Sequence, residues 1–195
     1  MAPARTLILA STSRYRAALL QRFGLEFTTV SPEVDEAEVR GETPRGRAFR
    51  LAEIKAEVVA ARYPDAIVIG GDQVPATSTT ILNKPGNEAN CREQLKLLSG
   101  STAEFYTACT VRCIATGVKL SHVDTTAVKL RPLSAAEIDR YIEREKPFDC
   151  AGGFKAEALG ITLFERIDTE DPTAIVGMPL IWLASALRAV GYFVP

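Results

Sequence analysis

Apolar runs and polar loops alternate along the chain in a rhythm of strand, loop and helix. Thr6-Leu7-Ile8-Leu9-Ala10 reads as a short buried strand running straight into Ser11-Thr12-Ser13. Ala17, Ala18, Leu19, Leu20 and Phe23 then recur at helical spacing, with Ser13 as N-cap and Gly24 as stop. Glu26 to Val30 predicts a second strand. Thr43-Pro44 opens a long helix with an apolar stripe at Leu51, Ile54, Val58 and Val59. Tyr63-Pro64-Asp65 breaks that helix, and Ile67-Val68-Ile69 follows as a central buried strand.

The second half continues the pattern. A helix is predicted over Glu88 to Leu98, then two long alternating segments, about Glu104 to Ala115 and Lys119 to Leu130, joined by Thr116-Gly117 as a hairpin. Ser134-Ala135-Ala136-Glu137 is a capping box opening a helix through Glu143. Ile161 to Ile167 reads as a strand, and Leu180, Leu183, Ala184 and Leu187 mark a last helix ended by Gly191. Parallel crossovers plus one hairpin predict an α/β fold around a mixed sheet.

Chemistry gathers at three places. Gly70-Gly71 ends the central run in this reading and presents Asp72 and Gln73 at a strand's carboxyl end, where open α/β sheets bind ligands; alternatively Asp72 caps a turn. Arg14 and Arg16 stand in the first turn after Ser13, unfavourable against the helix dipole unless an anion docks there or the arginines are solvated. Asp35 and Glu36 lie in an acidic loop, either solvated surface or oxygen ligands for a hard divalent cation. Lys55, at the edge of an apolar stripe, snorkels outward or reaches a phosphate. Lys84, beside Pro85, is a second phosphate candidate.

Composition narrows the classes. The 195 residues suit one domain, 1–195, or two closely packed lobes. The 23 Lys and Arg nearly cancel the 24 Asp and Glu, and a formal charge of −1 argues against duplex nucleic acid as partner while permitting a local basic pocket. Neither Met1–Ala10 nor any other run has the length of a signal peptide core or membrane span, so a cytoplasmic protein is expected. Cys91, Cys109, Cys113 and Cys150 form no C-x-x-C pair, and His122 is the only histidine. Those counts argue against a disulfide scaffold, a zinc site and a Ser-His-Asp system.

Seven blocks taken together resemble the Maf family of nucleoside triphosphate pyrophosphatases over nearly the whole chain: residues 7–20, 32–36, 50–56, 69–74, 84–85, 150–167 and 175–183. The Asp72-Gln73 pair, the CAGGFKAE block (150–157) and the aromatic Tyr15 are most similar to the branch acting on 7-methyl-GTP; the dTTP and UTP branch typically has Asp-Thr there. The resemblance implies a two-lobed α/β fold with a twisted mixed sheet, flanking helices and a deep central cleft. It also implies a nucleoside triphosphate substrate, a divalent cation (Mg²⁺, Mn²⁺ or Co²⁺), and the homodimers common in the family. Asp72 matches the proton acceptor and, with Glu36, the metal position. Ser11, Ser13, Arg16, Lys55 and Lys84 match the phosphate shell, and Tyr15, Gln73 and Glu157 match positions that select the base. The chain departs from the family pattern at Arg14, Gly71, Asn83 and Gly153, where proline, serine, glycine and serine are usual. The competing readings are a dTTP/UTP pyrophosphatase and a nucleotide-binding regulator of septum formation without turnover.

Overall fold

The structure is a computed structural model describing residues 5–194; Met1–Ala4, part of the run read above as no leader, and Pro195 lie outside the described residues. The elements follow in the order β1 (Leu7–Ala10), α1 (Arg14–Gln21), β2 (Thr28–Thr29), α2 (Pro44–Arg62), β3 (Ile67–Ala76), α3 (Glu88–Leu98), β4 (Thr102–Cys113), β5 (Val118–Leu130), α4 (Ala135–Glu145), β6 (Phe164–Asp168) and α5 (Leu180–Ala189). The strand order is β2-β1-β3-β4-β5-β6. β1 is parallel to β2 and β3, whereas β5 and β6 are antiparallel. The predicted α/β class and mixed sheet are what the chain forms.

The described chain divides into two compact units, the first made of residues 5–73, 107–124 and 171–194, the second of Val74–Tyr106 and Thr125–Glu170. In the first unit, alternation along β1 and β3 buries both faces. Leu7, Leu9, Ile67 and Ile69 join α1 and α5 through Leu19, Leu20, Leu183 and Leu187. Ile8, Ala10 and Val68 join Val59 and Ala60 of α2. Successive side chains of a strand point to opposite faces, so every later residue of β3 can be assigned a side.

Two expectations are corrected here. The central strand does not stop at Gly70-Gly71 but runs on to Ala76. What ends is its parallel partner: β1 pairs with β3 up to Ala10↔Gly70 and then leaves as the Ser11–Ser13 loop. Nor does α2 present the stripe of Ile54 and Val58. Its buried side is Ala48, Leu51, Ala52, Lys55, Ala56, Val59 and Ala60, with Val58 exposed. A Cβ on Gly70 would lie 2.4 Å from the Ala52 carbonyl oxygen and 2.6 Å from the Ala56 nitrogen. Gly70 therefore lets an alanine-lined helix settle on the strand backbone, where larger residues would hold it away.

In the second unit α3 packs on α4, and the predicted capping box of Ser134 and Glu137 forms with both hydrogen bonds present. Phe154 sits between Phe105 and Phe164, at centroid distances of 5.3 and 4.8 Å. The strand predicted from Ile161 begins only at Phe164, because Leu159–Leu163 winds as a 3-10 turn. Gly160 lies so close to Lys155 that a Cβ would stand 2.3 Å from its carbonyl oxygen, and the Thr162 hydroxyl donates to Leu159 O at 2.8 Å. These contacts curl an apolar run whose periodicity alone reads equally well as extended.

Candidate active site

Where β1 stops, β3 offers its next residues to the loops. Asp72 shares the face of Val68 and Gly70, the α2 side, and there it meets Lys55. The Lys55 Nζ donates to Asp72 Oδ1 at 2.6 Å and stands 2.6 Å from Glu36 Oε1. Lys55 thus turns inward between two carboxylates instead of snorkelling outward; its side chain is 8% exposed, that of Asp72 10% and that of Glu36 55%. One ammonium between two carboxylates leaves the trio with a net charge of −1, a place where further positive charge is favoured.

The acidic loop reaches Lys55 because α2 holds it. Arg50 grips Glu42 with Nε and Nη2 at 2.7 and 2.8 Å and reaches Ala37 O, while Arg47 donates to Glu38 and to Glu36 O. The Arg50 hydrogen bonds hold the Glu42 carboxyl below the usual carboxylate range and raise the guanidinium in turn. Glu36 is therefore carried by a braced loop.

Gln73 faces the other way. Its Nε2 donates to Thr107 Oγ1 at 3.0 Å, Ala174 O at 3.0 Å and Ile175 O at 3.1 Å. Arg16 lies on the same side of β3, since a Cβ on Gly71 would come within 3.3 Å of its Nε. Arg16 Nε donates to Gly177 O at 3.0 Å, and Nη1 points to Ser11 Oγ at 3.4 Å. Ser13 caps α1 by accepting from Arg16 N, and Ser11 Oγ accepts from Ser13 N at 3.1 Å, so both predicted serines order the N-terminus of this helix. Tyr15 follows on α1 with the Arg14 guanidinium 4.9 Å from its ring centre.

Six of the predicted polar residues thus gather around the end of β1 as two contact sets, Ser11, Ser13 and Arg16 on one face of β3 and Glu36, Lys55 and Asp72 on the other. Lys84 and Glu157 belong to the second unit. Lys84 is exposed on a segment pinned to α3 by Gln94 on Asn83 O and Asn90 on Pro85 O. Glu157 is exposed just before the Leu159–Leu163 turn, beside Lys155, whose ammonium pairs with Glu145 at 2.9 Å.

Comparison with known proteins places the chain. A family profile described as Maf-like protein matches residues 6–190. The chain belongs to the Maf family. A 7-methyl-GTP pyrophosphatase of Xanthomonas axonopodis pv. citri (strain 306) is 52% identical over 189 residues, covering 97% of this chain and 98% of its own. One of Aromatoleum aromaticum (strain DSM 19018 / LMG 30748 / EbN1) is 50% identical over 189 residues, covering 97% of each chain. One of Polaromonas sp. (strain JS666 / ATCC BAA-500) is 46% identical over 187 residues, 96% of this chain and 85% of its own.

Several contacts of this Maf protein were not anticipated from its sequence. Thr107 is fully buried on β4 and donates to Ala174 O at 3.0 Å. Asp171, 3% exposed, accepts from Thr173 N and Oγ1 and from Ile181 N at 2.6 Å, fixing the entry to α5. A threonine at an inward position between Phe105 and Cys109 was the available signal for the first. His122, the sole histidine, stacks on Trp182 at 5.4 Å.

Proposed function

We propose that this Maf protein hydrolyses the α–β phosphoanhydride of 7-methyl-GTP, giving the nucleoside monophosphate and pyrophosphate. The observation that carries the chemistry is the Asp72–Lys55–Glu36 trio. Substrate choice is supported by about 50% identity, over nearly the whole length, to proteins named for that reaction. A free regulator of septum formation would have no use for a carboxylate braced against a cation and a second carboxylate.

Among the described residues no group of three or more His, Cys, Asp and Glu is arranged to hold a metal. Asp72 and Glu36 nevertheless converge on one point, now met by an ammonium, with hard oxygen donors of the kind Mg²⁺, Mn²⁺ and Co²⁺ prefer. Two protein carboxylates, completed by phosphate oxygens and water, fit such a cation. When bound it would neutralise phosphate charge and acidify a water.

Asp72 is held at one oxygen by Lys55, which leaves its other oxygen to accept the proton of a water attacking the α-phosphorus. The water oxygen bonds to phosphorus as the bridge to the β-phosphate breaks, and pyrophosphate leaves with the electron pair. A triphosphate carries roughly four negative charges, so this step needs fixed cations. Arg16 meets them on one face of β3; on the other, where two carboxylates outweigh the Lys55 ammonium, the cation they would hold would supply the balancing charge, and Lys55 and Lys84 keep the phosphate roles implied by the family. Ser11 and Ser13 order the loop and the helix N-terminus beside Arg16. Tyr15 offers its ring to the cationic 7-methylguanine, and Glu157 its carboxylate to the base edge. A cytoplasmic setting agrees with four free cysteines, and a homodimer is the expected assembly.

The test is kcat/KM for 7-methyl-GTP, GTP, dTTP and UTP with Mg²⁺, Mn²⁺ or Co²⁺. Preference for 7-methyl-GTP is expected, with a loss of at least roughly 10²-fold in kcat for Asp72→Asn. Undiminished turnover by that variant removes the assignment of Asp72; preference for dTTP or UTP moves the chain to the other branch.

A further inference from the structure

Gln73 follows Asp72 in sequence but works on the opposite face of β3, and its amide nitrogen is already committed. Its Nε2 reaches Ala174 O and Ile175 O, and the same Ala174 oxygen accepts from Thr107 Oγ1 at 3.0 Å and from Gly177 N at 2.9 Å. That carbonyl is a hub: two side chains of the sheet hold it, and one backbone bond ties it to Gly177. Gly177 in turn uses its own carbonyl to accept from Arg16 Nε at 3.0 Å. Gly177 adopts φ 127°, and a Cβ there would lie 3.7 Å from Arg16 Cγ, so the turn and the arginine stem are in contact as well.

A guanidinium is a planar fork, and fixing Nε fixes the direction of both Nη groups. We propose that Gln73 is a positioning residue: by holding the Ala174–Gly177 turn, it aims the Arg16 fork at the phosphates. This deepens the pyrophosphatase reading, on which the role of Arg16 rests. Thr107 shares the task, and its complete burial keeps it from touching any nucleotide.

Two measurements on the full-length protein decide the matter. The first is hydrogen exchange of the Arg16 Nε–Hε group by ¹⁵N NMR, its peak identified by its loss in Arg16→Lys. Exchange should accelerate by at least about tenfold in both Gln73→Ala and Thr107→Val, since each loosens the hub. The second is kcat/KM on 7-methyl-GTP, GTP and UTP. Gln73→Ala should lose roughly ten- to a hundredfold on all three alike, as expected when a catalytic group is misplaced. That loss should largely vanish in an Arg16→Ala background but persist in a Lys55→Ala background. Unchanged Arg16 exchange in both variants, or a Gln73→Ala effect that re-ranks the bases and survives the loss of Arg16, overturns the proposal. If the wild type releases no pyrophosphate, the functional reading fails, while the exchange measurement still judges the link from Gln73 to Arg16.

Discussion

Replacing Lys55 with Met tests the trio through stability before any substrate is added. The change removes an ammonium standing 2.6 Å from each of two carboxylate oxygens and leaves a hydrophobic stem of similar length. Glu36 is more than half exposed, so its pair contributes at most about 1 kcal/mol. Asp72 has only 10% of its side chain exposed, and stripping the partner from a buried carboxylate costs roughly 3–5 kcal/mol. Water entering from the Glu36 side reduces this, and we expect Lys55→Met to lose about 2–4 kcal/mol at neutral pH. Removing the orphaned charge as well, in Lys55→Met/Asp72→Asn, should recover most of it. Urea unfolding of wild type, both single variants and the double variant gives the coupling directly. The same titrations with Mn²⁺ add a second reading. Carboxylates no longer held by an ammonium should take the cation more tightly, so Mn²⁺ should stabilise Lys55→Met more than wild type. Losses that simply add in the double variant, or no extra protection by Mn²⁺, would refute this account of the trio.

Three further outcomes are expected. Gly70→Ala places a Cβ 2.4 Å from the Ala52 carbonyl oxygen, and forcing α2 off β3 should cost at least about 1–3 kcal/mol in urea unfolding, where a loss under 0.5 kcal/mol would contradict the packing. Burial pushes the Cys91 thiol from 9.0 up to about 11 and the Cys109 thiol up to about 12, so above pH 9 the unfolded chain ionises first. Each thiol should then remove stability as pH rises from 9 towards its folded value, approaching about 1.4 kcal/mol per pH unit, and Cys109→Ala should flatten the alkaline decline in Tm. Arg14→Ala removes the cation lying 4.9 Å from the Tyr15 ring centre, and an expected gain of about 0.5–1 kcal/mol for a cationic base should lower KM for 7-methyl-GTP two- to fivefold but not that for GTP.

The parts of the fold that were legible in the sequence rest on local chemistry. The Ser13 cap, the Thr43-Pro44 start and the Ser134–Glu137 capping box each satisfy backbone donors within three residues, and all three form as read. Gly70 and Gly71 misled because their purpose is tertiary. One admits the backbone of α2 and the other the Arg16 side chain, and neither need is visible from neighbours in sequence. Taking the strand to end there also hid the consequence of its continuing, that Asp72 and Gln73 face opposite sides. Lys55 could be placed beside an apolar stripe but not turned inward, since the carboxylates that draw it in lie 17 and 19 residues away on a strand and a loop. The seven family blocks supplied the candidate residues; contacts alone tell which of them share a face.

The central claim, water attack at the α-phosphorus with pyrophosphate as leaving group, is tested most directly by turnover of 7-methyl-GTP in ¹⁸O-water, with the products resolved by mass spectrometry. One ¹⁸O in 7-methyl-GMP and unlabelled pyrophosphate are predicted. Label in pyrophosphate, or release of orthophosphate with a nucleoside diphosphate, would contradict it.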